Sequence, residues 1–177
     1  MSDLLKNIIR FALFIGIQVF ILNRIPPLHR FVTPYLYFLF LLWLPFKTPR
    51  LGLTLLGFIF GLTLDIFTKT PGLHAAACTL IAYLRPFLIG LMMPKEKTEI
   101  SYAEPSVTSM GLMPYIIYVL VFTLLHHGYL VFLEWMQFGN FWYFLGKVLA
   151  TTGISLLLVA ITEMMFNRKS RYRTNVA

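Results

Sequence analysis

Charge is scarce along this chain. Only 12% of its 177 residues are Asp, Glu, Lys or Arg, while 58% are hydrophobic. A soluble domain of this length needs about twice that charged fraction to cover its surface. A water-exposed globular fold is therefore excluded, and the mean hydropathy of +0.76 points to lipid as the solvent. Cysteine is nearly absent too. The lone Cys78 sits inside an apolar run, so an intrachain disulfide is impossible. There is no cysteine–histidine cluster, no H-E-x-x-H spacing, no glycine-rich phosphate loop and no serine–histidine–aspartate pattern. These gaps leave no catalytic set to assemble, so the chain reads as a non-enzyme with no cofactor.

What fills the sequence is a series of long apolar stretches. The fold class they predict is all-α, a single integral membrane domain of about six transmembrane helices. A span needs about 20 residues, and the tolerated range is roughly 17–25. The expected helices cover about residues 4–22, 31–46, 51–67, 73–93, 112–135 and 141–166, with a basic tail at 167–177. The second is the weak one. It is short and has Pro34 near its start and Pro45 at its end, and its loss would leave five spans with their ends on opposite faces. The first run follows Lys6 and Arg10 as a signal peptide would. It lacks a small-residue cleavage pattern before Pro26-Pro27 and reads as an uncleaved membrane helix.

The net charge of +8 does not mark a nucleic-acid binder, because the basic residues sit at the ends of apolar runs. With six spans, one side carries Lys6, Arg10, Lys47, Arg50, Lys95, Lys97, Arg168, Lys169, Arg171 and Arg173. The other carries Arg24, Arg30 and Lys69. The positive-inside rule then places both termini in the cytoplasm, with the basic tail near anionic lipid headgroups.

Polar residues inside the apolar runs are the candidate functional groups, because they are costly in lipid. Asp65 follows Gly57 and Gly61 at four-residue steps, so all three share one helix face. The glycines offer a close-packing seam or are simply a common feature of membrane helices. Comparable small residues are Ala75, Ala76, Thr79 and Ala82 in the fourth run, and Gly146, Ala150 and Gly153 in the last. Asp65 is expected either to serve its helix terminus or to lock neighbouring helices together. Lys147 is its natural partner, in a small cluster with His74 and Glu134, built on an Asp65–Lys147 or a Glu134–Lys147 pair. Otherwise Lys147 snorkels outward. Arg85, followed by Pro86, is expected to snorkel to the cytoplasmic surface, and Glu163 to meet the basic tail. His126 and His127 project about 100° apart and read as neutral histidines hydrogen-bonded between helices.

The stretch Gly57-Phe-Ile-Phe-Gly61-Leu-Thr-Leu-Asp65-Ile-Phe, followed by Pro71-Gly72-Leu-His74-Ala-Ala-Ala, resembles the signature of the bacterial rod shape-determining MreD family. In that family a glycine-containing helix ends in an aspartate, a turn with glycine follows, and then a small-residue helix like the one running on to Tyr83. The resemblance implies a six-helix fold similar to the substrate-binding S-components of energy-coupling-factor transporters. It also implies a scaffold role in the bacterial cytoplasmic membrane, regulating cell shape within the wall-elongation complex. The partners implied are an MreC-like single-span protein, an MreB-like filament and the glycosyltransferase–transpeptidase pair of peptidoglycan elongation. Gly57, Gly61, Asp65, Gly72, His74 and Lys147 are the candidate packing or partner contacts. The alternative is a membrane subunit that binds a small, vitamin-type molecule for transport, with its pocket near Asp65.

Overall fold

The computed structural model describes residues 3–25, 32–92, 104–134 and 140–166. Pro26-Pro27, Arg30, Lys95, Lys97 and the basic tail lie outside the described residues. The fold is all-α, and five helices are long and apolar enough to cross a membrane, so the chain is a multi-pass membrane protein. Helix α1 (Asp3–Gly16) continues through a π-helical turn, Ile17–Ile21, and a 3-10 turn, Leu22–Arg24. The other elements are α2 (Leu39–Leu42), α3 (Arg50–Thr68), α4 (Leu73–Met92), α5 (Val107–Met110), α6 (Leu112–Glu134) and α7 (Phe141–Met165). The long helices match the sequence boundaries to within two residues. Apolar length alone sets them.

The expected second span is where the structure departs. Residues 31–46 do not form a membrane-crossing helix. From 32 to 36 the described chain has no regular structure, and α2 is four residues long. The segment nevertheless travels from one face of the bundle to the other. At one end Gln18 of α1 bonds Pro34, and at the other the Arg10 guanidinium lies over the Trp43 ring at 5.5 Å. The physical reason lies in the prolines. Pro34 and Pro45 bracket too few residues for a helix at 1.5 Å per residue to span a bilayer. The segment instead combines irregular backbone over 32–36 with short helical turns from Leu36 to Trp43.

This internal crossing is the centre of the protein. Residues 35–44 are each 7% exposed or less, and all five long helices touch them. Phe14 of α1 meets Trp43 edge-on, and Phe60 of α3 packs on Phe40 with ring centroids 4.7 Å apart. His74 of α4, His126 of α6 and Ser155 of α7 complete the enclosure. Because the crossing returns the chain, α3 runs parallel to α1, as the Phe11–Phe60 and Phe20–Phe67 contacts show. Residues 3 and 166 consequently end on the same face, where Glu163 accepts from the Trp43 indole. Lys6, Arg10, Lys47 and Arg50 belong to that face too.

Helices α3 and α4 form the most extensive helix pair. A Cβ added at Gly57 would lie 2.7 Å from the Ala82 methyl, and one at Gly61 would lie 2.5 Å from both the Ala75 Cα and the His74 carbonyl oxygen. Both glycines are therefore required by close backbone approach. Gly153 of α7 is different, with nothing within 4 Å of its Cβ position. Gly61→Ala is expected to cost about 1–3 kcal/mol by forcing α3 from α4. Gly153→Ala should be neutral or slightly stabilising, since alanine favours helix. Thermal denaturation in detergent micelles compares the two, and equal losses would contradict the packing.

Candidate functional site

An apolar environment gives an irregular backbone no water to bond, so every free peptide group needs a protein partner. The surrounding helices supply those partners as side chains. The Gln18 amide fits the crossing end-on. Its Oε1 accepts from the Leu36 N–H at 3.0 Å, and its Nε2 donates to the Pro34 carbonyl at 3.0 Å and to Asn23 Oδ1 at 2.8 Å. The π-helical turn at Ile17–Ile21 contains Gln18, a position where such widened turns often serve a site. From α7, Ser155 Oγ accepts the Tyr35 N–H at 3.2 Å. His127 Nδ1 donates to the Thr123 carbonyl, which leaves Nε2 to accept from the Ser155 hydroxyl at 3.0 Å. The proton positions follow from what each atom can accept.

Arg85 holds the other end. It is 1% exposed. Its Nε donates to the Tyr118 hydroxyl at 2.8 Å, and its Nη2 donates to the Leu42 carbonyl at 3.3 Å and to the Leu44 carbonyl. Tyr118 in turn donates to the Leu42 carbonyl at 3.0 Å. The expected snorkelling of Arg85 is thus corrected. Its guanidinium turns inward because the carbonyls beyond α2 have no helical partner of their own.

Between these two clamps lies a buried ring cluster. The Tyr37 hydroxyl sits 2.8 Å from His74 Nδ1 and 2.9 Å from His126 Nε2. With one proton, it donates to one ring and accepts from the other. Phe38 stacks on His126 with centroids 5.0 Å apart and an interplanar angle of 21°. His127 makes the expected inter-helix hydrogen bond, to Ser155 of α7, whereas His126 bonds Tyr37 of the crossing.

Asp65 does not meet Lys147. Its Oδ1 accepts from the His74 N–H at 2.9 Å and the Thr70 hydroxyl at 3.1 Å. Its Oδ2 accepts from the Ala75 N–H at 2.9 Å and the Gly72 N–H at 3.1 Å. The carboxylate is the N-terminal cap of α4, reached across the turn from the last part of α3. Unpaired N–H groups and the helix dipole both favour an anion there. Gly72 makes the turn possible with φ of +86°, while Lys69 closes α3 in the left-handed region at φ of 59°. Lys147 pairs with Glu134 at the far end of the α6–α7 hairpin, which is the other pairing expected for it.

The tail expected to meet Glu163 lies outside the described residues, and the partners of Glu163 within them are on other elements. Glu163 accepts from Trp43 Nε1 at 2.7 Å and from the Tyr115 hydroxyl, and so ties α7 and α6 to the crossing. Nearby, Glu104 takes Lys6 at 2.6 Å and Arg10 at 3.0 Å, which fastens the start of α1 to the chain ahead of α5. The expected helices left out α5, which lies between the fourth and fifth of them and where Ser106 and Ser109 form a reciprocal cap. Among the described residues no group of His, Cys, Asp and Glu is arranged to hold a metal ion.

Gln18, Tyr37, Tyr118 and Ser155 are the functional residues the sequence reading missed. The signal for Gln18 was present, since it is the lone amide between Phe11 and Leu22 of the first apolar run. Gln18→Leu strands the Leu36 N–H and the Pro34 carbonyl, at about 1–3 kcal/mol for each. Thr63→Val, which removes only a bond back to Ile59 of the same helix, is expected to stay within about 0.5 kcal/mol. Asp65→Ala orphans two N–H groups of α4 and that of Gly72 in the turn before it, and is expected to lower the melting temperature by about 5 °C or more. Lys147→Gln should leave it nearly unchanged. Melting curves in detergent check both pairs, and a Lys147→Gln loss matching Asp65→Ala would contradict the cap.

No protein-family model, curated protein or solved structure matches this chain.

Proposed function

We propose that the protein is a non-catalytic membrane scaffold, in the sense implied by its resemblance to the MreD family. It would dock an MreC-like single-span helix and, through it, the wall-elongation machinery of a bacterial cytoplasmic membrane. The face carrying residues 3 and 166 would lie in the cytoplasm, as its Lys and Arg content favours.

The observation that carries this reading is the outward face of α7. Gly146, Ala150, Gly153, Leu157 and Ala160 follow one another at helical spacing. They are half-buried or exposed, while the opposite face buries Val148, Thr151, Ser155 and Val159. A stripe of small residues lets another helix approach closely within lipid, and Gly153 has open space around it. The inner polar groups support the same reading. They are occupied in holding the crossing, so the bundle is a rigid body that presents its flanks. The transport alternative placed a pocket near Asp65, but both oxygens of that carboxylate are taken up by the α4 terminus and Thr70.

In a rod-shaped host, depletion of the protein is expected to round the cells. Gly153→Leu should leave the melting temperature unchanged but reduce co-purification of the MreC-like partner by about ten-fold, from about 1.4 kcal/mol of lost packing. Retained rod shape after depletion, together with undiminished capture by Gly153→Leu, would remove the proposal.

A further inference from the structure

A cleft of about 670 Å³ opens on the face that carries Lys47 and Arg50, lined by Phe46, Lys47, Thr48, Arg85, Pro86, Ile89 and Gly90. It lies between the turn that leads into α3 and the last turns of α4. Its mouth is open, since Lys47 and Gly90 are exposed, whereas Arg85 in its wall is 1% exposed.

Among the described residues, this cleft carries positive charge with no carboxylate paired to it. Arg85 Nε and Nη2 bond neutral oxygens, those of Tyr118, Leu42 and Leu44. No carboxylate among the described residues lies within ion-pair distance of the guanidinium. Four of the described acids are engaged elsewhere. Glu104 binds Lys6 and Arg10, Glu134 binds Lys147, Glu163 binds Trp43 and Tyr115, and Asp65 caps α4. A buried cation without a counter-ion is costly, and carbonyl dipoles offset only part of that cost. Lys47 adds a second positive charge at the mouth. The start of α3 follows immediately after Thr48 and Pro49 and brings the positive end of a 19-residue helix to the same place.

We propose that this cleft binds the phosphate of an anionic phospholipid headgroup, with Arg85 as its inner contact and Lys47 as its outer one. A guanidinium edge matches phosphate oxygens geometrically. Phe46, Pro86 and Ile89 give the same cleft an apolar wall, which suits the glycerol and upper acyl chain of a lipid and does nothing for a free ion. The lipid would complete the electrostatics of the clamp that holds residues 42–44, so that the internal crossing is firmest in an acidic bilayer. This site is separate from the outward stripe on α7 and does not depend on the scaffold role.

The test uses the full chain purified in detergent and supplied with phosphatidylglycerol or phosphatidylcholine. Native mass spectrometry reads retained lipid, and thermal denaturation reads its effect. Phosphatidylglycerol is expected to be retained preferentially and to raise the melting temperature, while millimolar inorganic phosphate is not. Lys47→Gln is expected to weaken phosphatidylglycerol retention about five-fold, and Lys47→Glu to abolish the preference. Arg85→Lys keeps the charge while losing the fork, and should reduce the preference too. Neutralising Arg168, Lys169, Arg171 and Arg173 of the tail should leave it in place. Equal retention of the two lipids, a preference that follows the tail instead of Lys47, or protection by inorganic phosphate alone would each overturn the lipid site. Because Lys47 is exposed and no hydrogen bond or ion pair of its side chain is seen among the described residues, its variants keep the test independent of whether changes at Arg85 impair folding.

Discussion

A peptide group surrounded by hydrocarbon has only protein to bond. Helices settle the matter internally, and that is why five of the elements here need little comment. Residues 32–49 do so only in part, because Pro34, Pro45 and Pro49 break the register and only short turns such as those from Leu36 to Trp43 bond within the segment. The bundle is organised around this debt. Gln18, Arg85, Tyr118 and Ser155 come from four different helices and each reaches a backbone atom of the crossing. Apolar side chains fill the remaining volume around a ten-residue stretch almost wholly withdrawn from the surface.

The same constraint accounts for the polar residues that an apolar chain keeps at all. Polar side chains in membrane helices are commonly taken as pathways or ligand sites. In this molecule several of them are structural braces. His127 orients Ser155, Tyr118 shares the Leu42 carbonyl with Arg85, and Glu163 fixes the Trp43 indole. Asp65 solves the parallel problem at a helix end, since the first turn of α4 begins with unbonded N–H groups only a short turn away. Its placement explains why the glycines matter. Gly57 and Gly61 bring α3 close enough to α4 for the carboxylate to reach those groups.

Much of the bundle was legible from residues alone. Five helix boundaries follow from apolar length, and the Gly57–Gly61–Asp65 alignment follows from 3.6 residues per turn. Illegible were the partners of the polar groups, because hydrogen bonds between residues as far apart as Tyr35 and Ser155 leave no local trace. Arg85 shows why. Its position near a helix end fits snorkelling, and only the unbonded carbonyls at Leu42 and Leu44 turn it inward. The segment at 31–46 was ambiguous for a related reason. Hydrophobicity reports that a stretch is buried, and it does not report whether lipid or protein does the burying.

The bond between Tyr35 and Ser155 joins positions 120 residues apart. Chains are threaded into membranes from the N-terminus onward, so when residues 32–49 emerge, α4, α6 and α7 have yet to be made. The irregular segment therefore cannot partition into lipid on its own account at that moment. Its final accommodation belongs to the end of synthesis, when the last helix arrives with the hydroxyl that completes it. The native contacts that Ser155 and Glu163 make with the crossing thus exist only once the last helix has been made.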